Sequence, residues 1–269
     1  MLRVIRVRIF DAVGLRLESV ICGFVALALL AAGCAGSSSA QDPTDVPAAP
    51  AVAAGPVIAV PPPGTYLYEV SGVEAAAPQD VPIARSGSGT FQIADTGTDR
   101  IVSDPVVSQD WMIVNGENRE KMAVVFVDSG IVLERLVITA ALQDRPRTTS
   151  CAPATPVILV PHRLTRGETW ADHATCASGP DTITVDGTVG NIEAVQLGDG
   201  TTIQAVAIEL NMTLNNPPLA AGSSQIRLWF DPASGLIVRR HLNLAVDYDV
   251  YRYEGSATET LHAITPQPS

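Results

Sequence analysis

Lysine is nearly absent from this chain: Lys121 is the only one among 17 basic residues, which face 28 acidic ones. A net charge of −11 repels phosphate backbones, so nucleic acid is excluded as an expected partner. Aromatic residues make up 5% of the chain, and there are four histidines: His162, His173, His241 and His262. The sequence has no nucleophile elbow, zinc-protease helix motif, phosphate loop, dinucleotide glycine fingerprint or calcium loop. His173 and His241 fall on predicted strands and read as surface or internally bonded residues. Asp172-His173 has no serine partner at an assignable spacing. The expectation is a non-enzyme with no cofactor and no metal. Nor is there an apolar stretch of about 20 residues, the length a membrane-spanning helix needs. The one conspicuous apolar run, Val20 to Ala32, has 13 residues.

That run reads as the apolar region of a signal peptide. Arg3, Arg6, Arg8 and Arg16 precede it, and small residues close it. Its end, Leu30-Ala31-Ala32-Gly33-Cys34, resembles the lipobox of bacterial lipoproteins. The resemblance implies that residues 1–33 are removed, that Cys34 carries diacylglycerol and palmitate-type chains, and that the protein sits on the extracytoplasmic face of the cell membrane. Two chains, at about 0.8 kcal/mol per buried CH₂, hold a protein stably. Ala31 stands where lipoboxes favour leucine, and Asp11 and Glu18 interrupt the basic region, as they would if translation began downstream of Met1. The alternative is an ordinary secretory signal cut near Ala32 or Ala40. Abundant alanine and the arginine-for-lysine bias fit a high-GC, actinobacterial source. Without residues 1–33 the chain keeps 13 basic and 26 acidic residues, a net charge of −13. Such a surface resists lying on anionic lipid, which leaves the anchor to do the holding.

Of four cysteines, Cys22 leaves with the signal and Cys34 is spent on lipid. Cys151 and Cys176 remain, in an oxidising compartment, and are expected to form a disulfide. The alternative, a metal pair, finds no zinc-finger spacing with His162 or His173.

Residues 34–63 hold the lipidated cysteine and an Ala/Pro/Ser-rich stretch with almost no charge, which reads as a tether: flexible at Ser37-Ser38-Ser39 and stiffer at Pro61-Pro62-Pro63. From Gly64 the pattern changes to period two, and residues 64–269 are expected to form a single antiparallel β domain. Val206, Ile208, Leu210, Met212 and Leu214 alternate with Glu209, Asn211 and Thr213. Leu242, Leu244, Val246, Tyr248 and Val250 alternate with His241, Asn243, Asp247 and Asp249. These are sheets with one buried and one wet face. Further strands are expected at 65–74, 88–94, 98–103, 108–114, 119–127, 131–140, 157–160, 168–174, 182–197 and 224–230, and the region 141–150 reads as irregular. Turn signals lie at Asn115-Gly116, Asp128-Ser129-Gly130, Asp186-Gly187, Gly198-Asp199-Gly200 and Ser234-Gly235, and Gly87-Ser88-Gly89 reads as a turn as well. The fold class is all-β, a strongly curved antiparallel meander or half-barrel with no helix beyond the signal. The segment from Asp128 to Arg135 echoes that from Asp231 to Arg240. Either two related half-sheets or shared hairpin chemistry would produce this.

Three features stand out as site candidates: Gly167-Glu168-Thr169-Trp170, Trp229, and Arg240, which falls by parity on the apolar face of its strand. They read as a turn, a core-edge aromatic and a snorkelling arginine. Alternatively they border a cavity lined by Val206, Ile208, Leu210, Leu242, Leu244 and Val246, with Arg240 at its mouth.

The succession Gly167…Trp170, Thr188-Val189-Gly190-Asn191-Ile192-Glu193-Ala194-Val195 and Trp229-Phe230-Asp231-Pro232-Ala233-Ser234-Gly235-Leu236 resembles half-barrel lipoprotein carriers of the Lol type and related exported domains. That resemblance implies a curved sheet carrying acyl chains on its concave side, under plug helices that this sequence lacks. Two functions remain open. One is a module that binds an apolar or acylated ligand, such as envelope lipid. The other is a tethered structural or protein-interaction domain that meets another envelope protein without a small ligand.

Overall fold

A computed structural model describes residues 54–76, 82–99, 106–116, 118–142, 145–177, 179–216, 220–248 and 251–267. The expected signal segment, Cys34 and residues 35–53 of the expected tether lie outside the described residues. No described residue is helical, and the domain is the expected antiparallel meander.

Thirteen strands follow in chain order: β1 (Gly64–Ala76), β2 (Ile83–Asp99), β3 (Val106–Asn115), β4 (Asn118–Val127), β5 (Gly130–Leu142), β6 (Arg145–Cys151), β7 (Val157–Pro161), β8 (Thr169–Thr175), β9 (Thr182–Gln196), β10 (Thr202–Asn216), β11 (Ala220–Asp231), β12 (Leu236–Tyr248) and β13 (Tyr251–Leu261). They form one sheet in the order β6-β5-β4-β3-β2-β1-β13-β12-β11-β10-β9-β8, and β7 pairs the start of β5. Strands joined by turns pair as hairpins. The first and last strands pair through Tyr68 opposite Leu261 and Val70 opposite Glu259, so β1–β6 and β8–β13 become two wings of one sheet.

The register shifts at Asp95/Gly97, Ala123/Val124, Val206/Ile208 and Trp229/Phe230. Bulges of this kind bend a strand and raise its twist. Strands this long, bulged repeatedly, curl until the sheet's two edges meet. Cys151 and Cys176 are disulfide-bonded across that seam, with Cα atoms 5.1 Å apart. Ala154 N donates to Thr175 O at 2.8 Å, and Ala177 N to Ala152 O at 2.7 Å. Farther along, Asp172 Oδ2 accepts from Ile158 N at 3.0 Å. The bond closes a 25-residue separation, worth about 3–4 kcal/mol on the loop-entropy model. It also covers edges that would otherwise offer unpaired backbone.

Alternation decides which side chains face inward. Val206, Ile208, Leu210, Met212 and Leu214 of β10 are buried, while Glu209, Asn211 and Thr213 are exposed. A chain of edge-on rings crosses the first wing, with centroids 6.0 Å apart for Tyr68–Phe91, 5.7 Å for Phe91–Trp111 and 6.1 Å for Trp111–Phe126. Such pairs add about 0.5–1.5 kcal/mol beyond the area they bury.

One end of the curled sheet is capped by the chain's own N-terminal strap. The sequence places the domain's start at residue 64, but residues 54–63 are packed onto it. Leu164 N donates to Pro56 O at 3.0 Å, Ile58 N to His162 O at 3.3 Å and Ala59 N to Pro232 O at 2.9 Å. Ile58 enters the core. Gln109, 1% exposed, donates to Pro61 O at 2.8 Å and to Asp95 Oδ1 at 2.9 Å, and accepts from Trp111 Nε1 at 3.0 Å. Gly235, at φ +72°, has no room for a side chain against the backbone of Ala59. A proline-rich segment reads as tether because it lacks alternation. It packs because the sheet's end offers it an apolar seat and main-chain partners.

Other differences have local causes. Strand β6 runs through the stretch that reads as irregular. It is an edge strand, where Pro146, opposite Ala141, is tolerated because a missing N–H can face away from the ladder. Strand β13 carries no apolar alternation because its inward positions include Gly255, Ala257 and Glu259. The expected strands 88–94 and 98–103 are not separate: β2 runs from Ile83 to Asp99, and residues 100–105 lie outside the described residues. Gly87-Ser88-Gly89 and Asp186-Gly187 are not turns. They lie mid-strand, opposite Val70-Glu69-Tyr68 and Asn211-Leu210. The hairpin echo does not extend to burial upstream of the turns, since Trp111 is fully buried and Trp229 is half-buried, packed against the core.

Candidate functional site

Among the described residues, none covers the end opposite the strap as residues 54–63 cover the first. Strand β12 continues its parity there, so Arg240, Leu242 and Leu244 project to the concave side. Burial fades along the strand: Leu236 and Val238 are sealed, whereas Leu242, Leu244 and Val246 are half-buried. The expected cavity set therefore divides. Val206, Ile208 and Leu210 are core residues and are not among those lining the open-end cleft. Arg240, Leu242 and Leu244 line a cleft, and Val246 lies beyond it, against Gly222.

The cleft has a volume of about 100 Å³. Its apolar wall is Val70, Ile113, Ile138, Leu242 and Leu244, with Gly72, Gly255 and Ala257 leaving the space open. A Cβ on Gly72 would lie 3.0 Å from Ala257 Cα, so β1 and β13 approach too closely there for a side chain. At the rim, Arg85 pairs with Glu74, and Tyr253 Oη donates to Glu74 Oε2 at 3.1 Å. Burial, reinforced by the neighbouring Glu74, holds the Tyr253 phenol above the ordinary tyrosine range.

The cleft's floor is charged. Arg240 Nε meets Glu259 Oε2 at 2.8 Å, Nη2 meets Oε1 at 3.2 Å, and Nη1 meets Glu120 Oε2 at 2.5 Å. Glu259 is the cross-strand neighbour of Arg240, and Glu120 reaches it from β4 in the other wing. The side chains of Arg240 and Glu259 are each 5% exposed and that of Glu120 is 14% exposed. Arg240 is thus a buried clamp between the wings, neither snorkelling nor at a mouth. Burial opposes its charge, but Glu120 and Glu259 together keep it above the usual arginine value. Beside it, Tyr68 Oη donates to Ile237 O. Burial, with Glu259 adding to it, pushes that phenol well up.

Glu120 and Glu259 were not singled out from sequence. The signal that points to them is Arg240 itself, since a charge on the inward parity of a strand needs a buried counter-charge. Strand parity could have offered Glu259, two residues before Leu261. Nothing local offers Glu120.

The other candidates are scaffold. Gly167 adopts φ +81° in a turn, and Trp170 packs on the core over Gly187. Trp229 is the expected core-edge aromatic: it is half-buried and packs against the core, has the guanidinium groups of Arg227 and Arg239 at 4.8 and 5.7 Å from its ring, and donates to Glu193 Oε2 at 2.7 Å. His241 shares a hydrogen bond with Thr258 at 3.0 Å, and His173 is exposed. Among the described residues no group of three or more His, Cys, Asp or Glu could hold a metal ion. A wider, open concavity of about 620 Å³ lies across β10–β13 and β1, where Val73, Ala75, Pro82 and Leu244 mix with Asn211, Thr213, Gln225 and Asn243.

No family model and no curated protein matches the chain. A solved structure, the ywiB protein from Bacillus subtilis, aligns over 74% of this chain and 93% of its own length, at 9% identity and a TM-score of 0.20. A likeness that faint carries no argument about fold or function.

Proposed function

We propose that this is a lipoprotein anchored through Cys34 to the extracytoplasmic face of the cell membrane, whose β domain docks another envelope protein at its open end. It performs no catalysis in this reading. The observation that carries it is the size of the open-end cleft. Ligand pockets run to roughly 300–1,000 Å³, against about 100 Å³ here, with a buried ion triad for a floor. An acyl chain has no room beneath that triad, whereas one side chain of a partner does.

A second reading, binding of an apolar or acylated ligand, is favoured by the apolar wall of Val70, Ile113, Ile138, Leu242 and Leu244. The test separates the two. A photo-crosslinker at position 244 in cells should join the chain to a protein, while one at the outward, exposed position 209 should not. Lipid extraction and mass spectrometry of the purified chain should find no stoichiometric lipid. Stoichiometric lipid without a crosslink at 244 would transfer the assignment to the carrier reading. Cys34→Ala should release the protein from the membrane fraction, and retention there would refute the anchor.

A further inference from the structure

We propose that the wide concavity across β10–β13 and β1 is a trough that binds a neutral, extended glycan chain. This goes beyond the docking reading and stands whether or not that reading holds. The sheet's register builds the trough. Asn211, Gln225, Asn243, Ser256 and Val73 are successive cross-strand partners on β10, β11, β12, β13 and β1. Thr213, Ser223, Ala245, Glu254 and Ala75 form a second row beside them on the same strands. Both rows line the concavity of about 620 Å³, which falls within the roughly 300–1,000 Å³ of ligand sites. Neighbouring strands lie about 4.8 Å apart, so each row runs about 19 Å at right angles to the strands.

Three observations select the ligand class. The first is charge. Glu254 is the one charged side chain in the described lining, and Arg252 pairs with it at 2.8 Å. No cation lines the trough to hold an anionic ligand, and the carboxylate is already partnered against a cationic one. The second is hydrogen bonding. Asn211, Gln225 and Asn243 are exposed, and each amide carries both donors and an acceptor, which suits hydroxyl groups that play both roles. Asp186, the next partner in that row, orients the first of them by accepting from Asn211 Nδ2 at 2.8 Å. The third is spacing. The rows repeat about every 4.8 Å, close to the rise of one sugar in an extended chain, whereas an extended peptide repeats its side chains on one face about every 6.6 Å. A peptide strand would also seek a sheet edge for its main-chain bonds, and these five strands are paired on both sides. Val73, Ala75 and Pro82 close the β1 end of the trough with an apolar surface for the C–H face of a sugar ring.

The test titrates the full chain in detergent with cellotetraose and chitotetraose, two neutral extended sugars that match the trough's length, and reads side-chain NH₂ signals by NMR. At least one should give saturable shifts at Asn211, Gln225 and Asn243 below about 10 mM, the affinity that a few amide contacts supply. Gln225→Ala combined with Asn243→Ala should weaken that sugar about tenfold or more. The thermal midpoint should barely move, because both side chains are exposed. Asn191→Ala removes an exposed amide outside the trough and should leave binding unchanged. A capped Ser-Gly hexapeptide should give no saturable shift. Silence with both sugars, equal binding of the peptide, or undiminished binding by the double variant would overturn the proposal and leave the two rows as an ordinary wet face.

Discussion

Phe91, Trp111, Ile131, Leu133, Leu236 and Leu261 are fully buried at the strap end of the sheet. At the other end the same strands present Ile113, Ile138, Leu242 and Leu244, half-buried around a cleft. The residue types and the parity are alike, so the difference is not one of hydrophobicity. It lies in what covers each end. Residues 54–63 seal the first through main-chain bonds to His162 and Pro232 and through Gln109. At the second, Gly72, Gly255 and Ala257 leave space above the Arg240 triad. A one-faced strand guarantees which side chains turn inward, and only the cover decides how dry they become.

The sharpest way to break this comparison is at the triad that divides the two ends. Arg240→Ala strands two buried carboxylates and should cost about 3–5 kcal/mol in denaturant unfolding. Adding Glu120→Gln should recover part of that, and a loss under about 1 kcal/mol for Arg240→Ala would mean the triad is solvated.

A pair of truncations sharpens the contrast directly. Ile208→Ala, in the sealed core, should cost about 2–5 kcal/mol. Leu244→Ala, at the open end, should cost about 1 kcal/mol, since it is only half-buried. Equal shifts in the urea midpoint would erase the difference between the ends.

The strap makes a prediction of its own. Ile58→Ala should cost about 2 kcal/mol, while Val57→Ala, 44% exposed in the parent, should stay within about 0.5 kcal/mol. If both are silent, the strap is not a cover.

The smallest effect is expected in alkali. Tyr68 is held protonated in the folded chain by burial and by Glu259, so its folded pKa lies above the unfolded value of about 10. Its contribution is complete below pH 10 and is lost as pH rises beyond it, by up to about 1.4 kcal/mol per pH unit. Unfolding measured between pH 8 and 11 should steepen above pH 10, and Tyr68→Phe should flatten that slope. An unchanged slope would place the phenol in contact with water.

Much of the fold is legible in the chain because its signal is local. Period-two alternation over 203–214 gives β10 and its inward residues directly. The pairing of Cys151 with Cys176 follows from their being the two cysteines beyond Cys34, and the bond closes the sheet's seam. Strand β13 is hidden because Gly255, Ala257 and Glu259 occupy inward positions where alternation needs apolar side chains. Parity placed Arg240 inside, yet its role needed partners that parity cannot supply.

The sequence by itself determined the strands with clear alternation, such as β10 and most of β12, the face their residues take, the disulfide pair and the net acidity, because each depends on a residue's own chemistry or on neighbours two positions away. Only the tertiary structure decided that Glu120 meets Arg240 from 120 positions away, that residues 54–63 are a cover and not a tether, and that the open end keeps a cleft of about 100 Å³. Those outcomes depend on where the bulges bend the strands and on how far the curled wings approach each other, and no local pattern records a distance between two walls.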